Sequence, residues 1–163
     1  MGWSFGPAAI ISKMKAILTH VGAWAPMAEQ KAVAYYLGNR AAIDRFLNHF
    51  KGEVSERLTR IYNGLTELKK EGLPVDAIAP EAAIYLTIKI DAAGKTTAAG
   101  KKLDTQADVT AYILNDAKLA VVPFYAFGAS RQSAWYRLSV GTCKKEEINA
   151  MLSQLRKALQ QLS

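Results

Sequence analysis

The sequence predicts an α+β fold, in which a helical first half precedes a small, mainly antiparallel sheet with two helices packed on one face. Apolar residues recur every three or four positions up to about residue 70, which is typical of amphipathic helices. Beyond residue 83 they alternate with polar residues in two segments, which is typical of half-buried strands. The chain has 163 residues, 50% of them hydrophobic, so it can bury a core.

Three helices are predicted in the first half, at 7–19, from Met27 to a stop near Gly38, and in one long segment that Gly72 and Pro74 end. The apolar positions of the long helix are Ile43, Phe46, Leu47, Phe50, Val54, Leu58, Ile61, Tyr62, Leu65 and Leu68. At about 1.5 Å per residue this helix spans roughly 40 Å. Since that is more than a small body needs, we expect it to bridge two packed bodies.

Strands are predicted at 83–90 and 135–140, with a short apolar strand at 119–122 between them. Residues 105–108 read Thr-Gln-Ala-Asp, a capping box that begins a helix ending near Lys118.

The closing helix has the apolar stripe Ile148, Met151, Leu152, Leu155 and Leu159. Thr142 is expected to cap it, which places Cys143 in its first turn.

Composition argues against several classes of protein. The net charge of +7 makes nucleic-acid binding one interpretation. However, 21 Lys and Arg alternate with 14 Asp and Glu, which favours a solvated surface instead. No apolar run approaches the roughly 18 residues of a membrane span. The single Cys permits no internal disulfide, which fits a cytoplasmic protein.

Few side chains are candidates for chemistry. His20 and His49 have no partners at metal-ligand spacing, so no metal site is expected. Residues 94–96, Gly-Lys-Thr, lack the first glycine of a phosphate-binding loop and are interpreted as an ordinary loop.

Arg137 stands out because it lies inside the apolar strand 135–140, where a charge needs a partner. One interpretation is structural, an internal salt bridge or a guanidinium lying over Trp135. The other is functional, a fork that binds a carboxylate through two parallel hydrogen bonds.

Residues 136–141, Tyr-Arg-Leu-Ser-Val-Gly, and the preceding 121–128, Val-Val-Pro-Phe-Tyr-Ala-Phe-Gly, resemble the C-terminal signature of class I pyridoxal-phosphate aminotransferases, the aspartate aminotransferase family. Residues 2–7 are similar to the segment that follows the family's cofactor lysine, and the helices follow the family's order. The resemblance covers essentially the whole chain.

The resemblance implies the C-terminal part of a fold type I pyridoxal-phosphate enzyme, its small-domain α/β sandwich plus a long bridging helix. Residues 1–38 would be a remnant of the large cofactor-binding domain, 39–75 the interdomain helix, and 76–163 the small C-terminal domain.

The activity implied is amino-group transfer between an amino acid such as aspartate and a 2-oxo acid, with Arg137 binding the substrate α-carboxylate. The Schiff-base lysine would lie upstream of Gly2, so no catalytic, cofactor-binding or metal-binding residue is expected here. The chain alone would bind no pyridoxal phosphate and be inactive, although the full-length enzyme uses that cofactor.

Partners implied are the substrates and a second copy in a homodimer, or other self-association, because relatives place the equivalent of 22–26 at the dimer interface. Phe124 and the Gly22-Ala23 pair depart from many relatives, which leaves the amino-acid substrate open. The alternative is a stand-alone, non-catalytic binding or regulatory module of the same fold.

Overall fold

The computed structural model describes residues 1–163, which form two compact units, 1–49 and 50–163. The first unit contains helices α1 (Ala8–Val21) and α2 (Met27–Leu37) and the start of α3 (Arg40–Lys70). The two short helices confirm the sequence-based prediction. Helix α1 ends later than expected, where Gly22 adopts a φ of 72° and its N–H caps the carbonyl of Leu18.

Residues 1–49 contain no buried side chain. Many of their large apolar side chains are exposed, including Trp3, Ile17, Met27 and Tyr35. The long helix α3 shows the same division, because its buried side chains begin only at Val54. The first unit therefore has no hydrophobic core of its own.

The second unit contains a four-stranded sheet of β1 (Val75–Ala77), β2 (Tyr85–Ile90), β3 (Val122–Pro123) and β4 (Trp135–Ser139). Its strand order is β1-β2-β4-β3, and every neighbouring pair is antiparallel. The small antiparallel sheet predicted from the sequence is thereby confirmed.

Three strand details differ from the sequence-based prediction. Strand β1 was not predicted, and the strand expected at 83–90 begins only at Tyr85, because Ala83 adopts a left-handed φ of 61°. The strand expected at 119–122 is reduced to Val122–Pro123.

Helices cover one face of this sheet. Leu86, Ile88 and Ile90 of β2 and Tyr136 and Leu138 of β4 belong to the buried core. The helices that complete this core are the later part of α3, α4 (Gln106–Asn115) and α5 (Ile148–Gln160). The α+β class is confirmed, with three helices contributing where the sequence analysis expected two.

Helix α4 begins with the predicted capping box, in which Thr105 and Asp108 satisfy each other's backbone N–H groups. The predicted start of the closing helix was wrong. Lys144 has an extended ψ of 143°, so the chain turns helical only from the short 3₁₀ segment Lys145–Glu147. Thr142 is therefore not a helix cap, and Cys143 does not lie in a helix.

Candidate functional site

Arg137 lies in the middle of β4, opposite Thr87 of β2 on one side and Val122 of β3 on the other. Alternation along β4 buries Tyr136 and Leu138 and leaves Arg137 half-buried on the opposite face.

The guanidinium of Arg137 lies over two aromatic rings. Its central carbon is 4.4 Å from the ring centroid of Tyr85 and 4.5 Å from that of Phe127. Tyr85 belongs to β2, whereas Phe127 ends a 3₁₀ turn, Phe124–Phe127, that follows β3. Since β2 and β3 lie on opposite sides of β4, the two rings reach Arg137 from both flanks of its strand.

Both forms of the structural interpretation of Arg137 are wrong. The guanidinium makes no salt bridge within the chain and does not lie over Trp135; its ring contacts are to Tyr85 and Phe127. Neither of these residues was singled out from the sequence. Tyr85 lies in the strand predicted at 83–90 and Phe127 in the segment 121–128, but only the pairing of β2 with β4 brings Tyr85 to Arg137.

None of the guanidinium N–H groups of Arg137 donates a hydrogen bond to an acceptor of the chain. A guanidinium is planar and its N–H donors point outward in that plane. An aromatic ring attracts the cation through its π electrons and offers no lone pair for a conventional hydrogen bond. The free donors can therefore form the two parallel hydrogen bonds that a carboxylate accepts. The arrangement is suited to binding a carboxylate.

The buried face beneath β4 is held by a polar contact. The hydroxyl of Tyr136 donates to Oε1 of Gln106, the first residue of α4, at 2.8 Å. Burial raises the pKa of Tyr136, so the hydroxyl stays protonated and keeps this bond at neutral pH. Arg137 thus follows a residue of β4, Tyr136, that is hydrogen-bonded to helix α4.

The other residues considered from the sequence form no second site. No three His, Cys, Asp or Glu side chains come together as metal ligands. Burial raises the pKa of the Cys143 thiol, which lowers its thiolate fraction and hence its reactivity. Residues 94–96 lie in a loop, in which Thr96 forms an isolated antiparallel bridge with Lys102. No helix is both long and apolar enough to cross a membrane.

Comparisons with known proteins give a consistent result, although no family model matches the chain. The whole chain aligns with the aspartate aminotransferase of Rhizobium meliloti (strain 1021) at 30% identity over 164 residues. A probable aspartate/prephenate aminotransferase of Rickettsia bellii is 40% identical over 78 residues, 47% of this chain. The chain spans about 37% of the length of the Rhizobium relative and 19% of the Rickettsia one.

Solved structures agree. The crystal structure of the Rhizobium meliloti aspartate aminotransferase superposes with a TM-score of 0.62 and 33% identity, over 72% of this chain and 28% of that one. An aromatic aminotransferase from Pyrococcus horikoshii shares the fold, with a TM-score of 0.53 and 22% identity over 71% of this chain and 27% of that one.

The fold is therefore that of part of a fold type I, pyridoxal-phosphate-dependent aminotransferase. The resemblance to the aspartate aminotransferase family is confirmed, and the similarity spans about 37% of the length of the Rhizobium meliloti relatives.

Proposed function

We propose that this chain is the C-terminal part of an aminotransferase that moves an amino group between an amino acid such as aspartate and a 2-oxo acid. In this proposal Arg137 binds the substrate α-carboxylate. Residues 1–38 belong to the large cofactor-binding domain, 39–75 to the interdomain helix and 76–163 to the small domain.

The proposal rests on the surroundings of the Arg137 guanidinium. Its central carbon lies over the rings of Tyr85 and Phe127, and its N–H donors form no hydrogen bond or ion pair within the chain. A half-buried cation left in this way favours an anionic ligand that accepts in the guanidinium plane. A carboxylate common to amino acids and 2-oxo acids meets that requirement.

The chain's own lysines do not fit the role of a Schiff-base lysine. That residue must lose its proton to act as a nucleophile, which a desolvated pocket promotes, yet no lysine here is buried. Lys145, for example, hydrogen-bonds Glu53 and Glu56, which raises its pKa and keeps it charged. These observations support a lysine and cofactor site elsewhere in a longer protein, so that this chain alone binds no pyridoxal phosphate and is inactive.

Pyridoxal phosphate would supply the electron sink for amino transfer in the complete enzyme. This chain would contribute orientation, because a carboxylate fixed by Arg137 sets the direction of the substrate's remaining bonds. We further propose a homodimer or other self-association, since the exposed apolar side chains of 1–49 favour association. A cytoplasmic location is proposed because the single Cys permits no internal disulfide. Nucleic acid, membrane and metal are not part of the proposal.

The proposal is tested by kinetics of the complete gene product with Arg137→Ala and Arg137→Lys. Loss of a bidentate, charge-assisted contact should lower kcat/KM for amino transfer about 100-fold or more in Arg137→Ala, and Arg137→Lys should recover only part of it. Ser139→Ala, on the same face of β4, is the matched control and should leave kcat/KM unchanged. Unaltered kinetics in Arg137→Ala would contradict the carboxylate role and favour the alternative, a non-catalytic binding or regulatory module.

A further inference from the structure

We propose that Tyr85 and Phe127 are positioning residues, which hold the guanidinium of Arg137 in a carboxylate-binding orientation before any ligand arrives. The inference rests on the proposed function, since it assumes that Arg137 binds a carboxylate. Neither ring has to touch the ligand, because each acts through Arg137.

The contacts are close enough to restrain the guanidinium. Both ring centroids lie within 4.5 Å of its central carbon, inside the roughly 6 Å range of cation–π attraction. One ring comes from β2 and the other from the turn after β3, the two strands that flank β4. The side chain is therefore restrained from two independent elements of the fold.

The restraint leaves the binding groups free. A guanidinium has five N–H donors, and the rings of Tyr85 and Phe127 offer no lone pair from their π systems that would accept a conventional hydrogen bond from them. No acceptor of the chain occupies those donors either. If a carboxylate of the protein restrained Arg137 in place of the rings, it would compete with a ligand for the N–H donors. The aromatic rings restrain Arg137 without that competition.

Pre-organisation has an energetic consequence for binding. A free Arg side chain loses rotamer freedom when a ligand fixes it, and that loss weakens affinity. The rings remove this freedom in advance. Tyr85 is 41% exposed and Phe127 is 56% exposed, so neither is part of the hydrophobic core and either can be replaced without opening a cavity.

Nuclear magnetic resonance of the ¹⁵N-labelled 163-residue chain tests the inference, with acetate as the probe and sodium chloride holding ionic strength constant. The Nε–H resonance of Arg137, assigned by its loss in Arg137→Ala, should have an order parameter close to that of the β4 backbone. Acetate should shift this resonance to saturation in the wild-type chain. The backbone amide of Leu138 reports acetate binding in variants that lack the Arg137 side chain.

Removal of the rings should loosen Arg137 and weaken acetate binding together. Tyr85→Leu or Phe127→Leu should each lower the Nε–H order parameter and raise the acetate Kd about threefold, and the double variant about tenfold. Tyr85→Phe keeps the ring and should retain both properties. Circular dichroism verifies the fold, and if the double variant unfolds, the two single variants decide.

The outcomes separate the two proposals. If the Leu variants keep the wild-type order parameter and Kd while Arg137→Ala abolishes acetate binding, the positioning role is overturned and the carboxylate role of Arg137 stands. If acetate leaves the Arg137 resonance of the wild-type chain unmoved, or binds Arg137→Ala equally well, the carboxylate role itself is overturned.

Discussion

At the scale of single residues, Arg137 holds a charge that is half-buried and yet unused by the chain. Partial removal of a charge from water is costly, and the contacts with Tyr85 and Phe127 offset part of that cost. A guanidinium that has no ion-pair partner in the chain keeps its donors available for a carboxylate ligand. This is the physical reason to regard Arg137 as a binding residue.

The position of Arg137 in a strand was predictable from the sequence, because Tyr136 and Leu138 alternate with it. Its surroundings were not. Tyr85 precedes Arg137 by 52 positions in the sequence, and only the antiparallel register that pairs Thr87 with Arg137 brings the ring close. Periodicity reports which face a side chain occupies and does not report which distant strand lies beside it.

Asp108 gives a testable pH dependence. Its carboxylate accepts hydrogen bonds from the hydroxyl and the backbone N–H of Thr105, at 2.7 and 3.1 Å, and the hydroxyl bond is the main cause that lowers the pKa of Asp108. The unfolded chain therefore binds this proton more readily than the folded chain. The stabilisation is present above the ordinary value of 3.8 and is lost as pH falls through the lower, folded pKa.

Asp108→Asn should consequently be less stable than wild type at pH 7 and should lose less of its stability between pH 5 and pH 2. Urea unfolding followed by circular dichroism at each pH measures both effects. Glu81→Gln, a change at an exposed carboxylate, is the control and should follow the wild-type pH profile. An identical acid-induced loss in wild type and Asp108→Asn would contradict this account of the cap.

At the scale of elements, the sequence predicted each of the five α-helices because their apolar repeats and caps are local signals. It failed where the signal was short or the backbone unusual. Strand β1 has three residues, too few to show alternation, and is defined by its pairing with β2. The closing helix begins late because Lys144 is extended, which no side-chain pattern reveals.

Helix α3 illustrates how burial divides a single element. Its apolar repeat is continuous in the sequence, yet Ile43, Phe46, Leu47 and Phe50 are not buried, whereas Val54, Leu58, Ile61, Leu65 and Leu68 are. The expectation that this helix serves two packed bodies stays a prediction. What the structure shows is that its later part completes the core of the second unit.

At the scale of the whole molecule, stability resides in one unit. Every buried side chain lies between Val54 and Leu159, so residues 1–49 add no core. The chain 50–163 should fold by itself, with a urea midpoint close to that of the full chain. Circular dichroism of both chains measures this, and an unfolded 50–163 chain would contradict the assignment of the core.

The exposed apolar residues of the first unit should also affect solution behaviour. The full chain should self-associate and bind a hydrophobic dye, whereas 50–163 should sediment as a smaller species and bind less dye. Analytical ultracentrifugation across a concentration series compares the two chains. A strictly monomeric full chain that binds no dye would contradict the expectation that the exposed apolar side chains of residues 1–49 drive association.

The coding sequence upstream of the codon for Met1 decides whether this chain is part of an aminotransferase. If it is, the reading frame continues upstream and encodes a lysine shortly before residues 2–7, within a protein of about the length of its aspartate aminotransferase relatives. An in-frame stop codon before any such lysine would contradict this assignment.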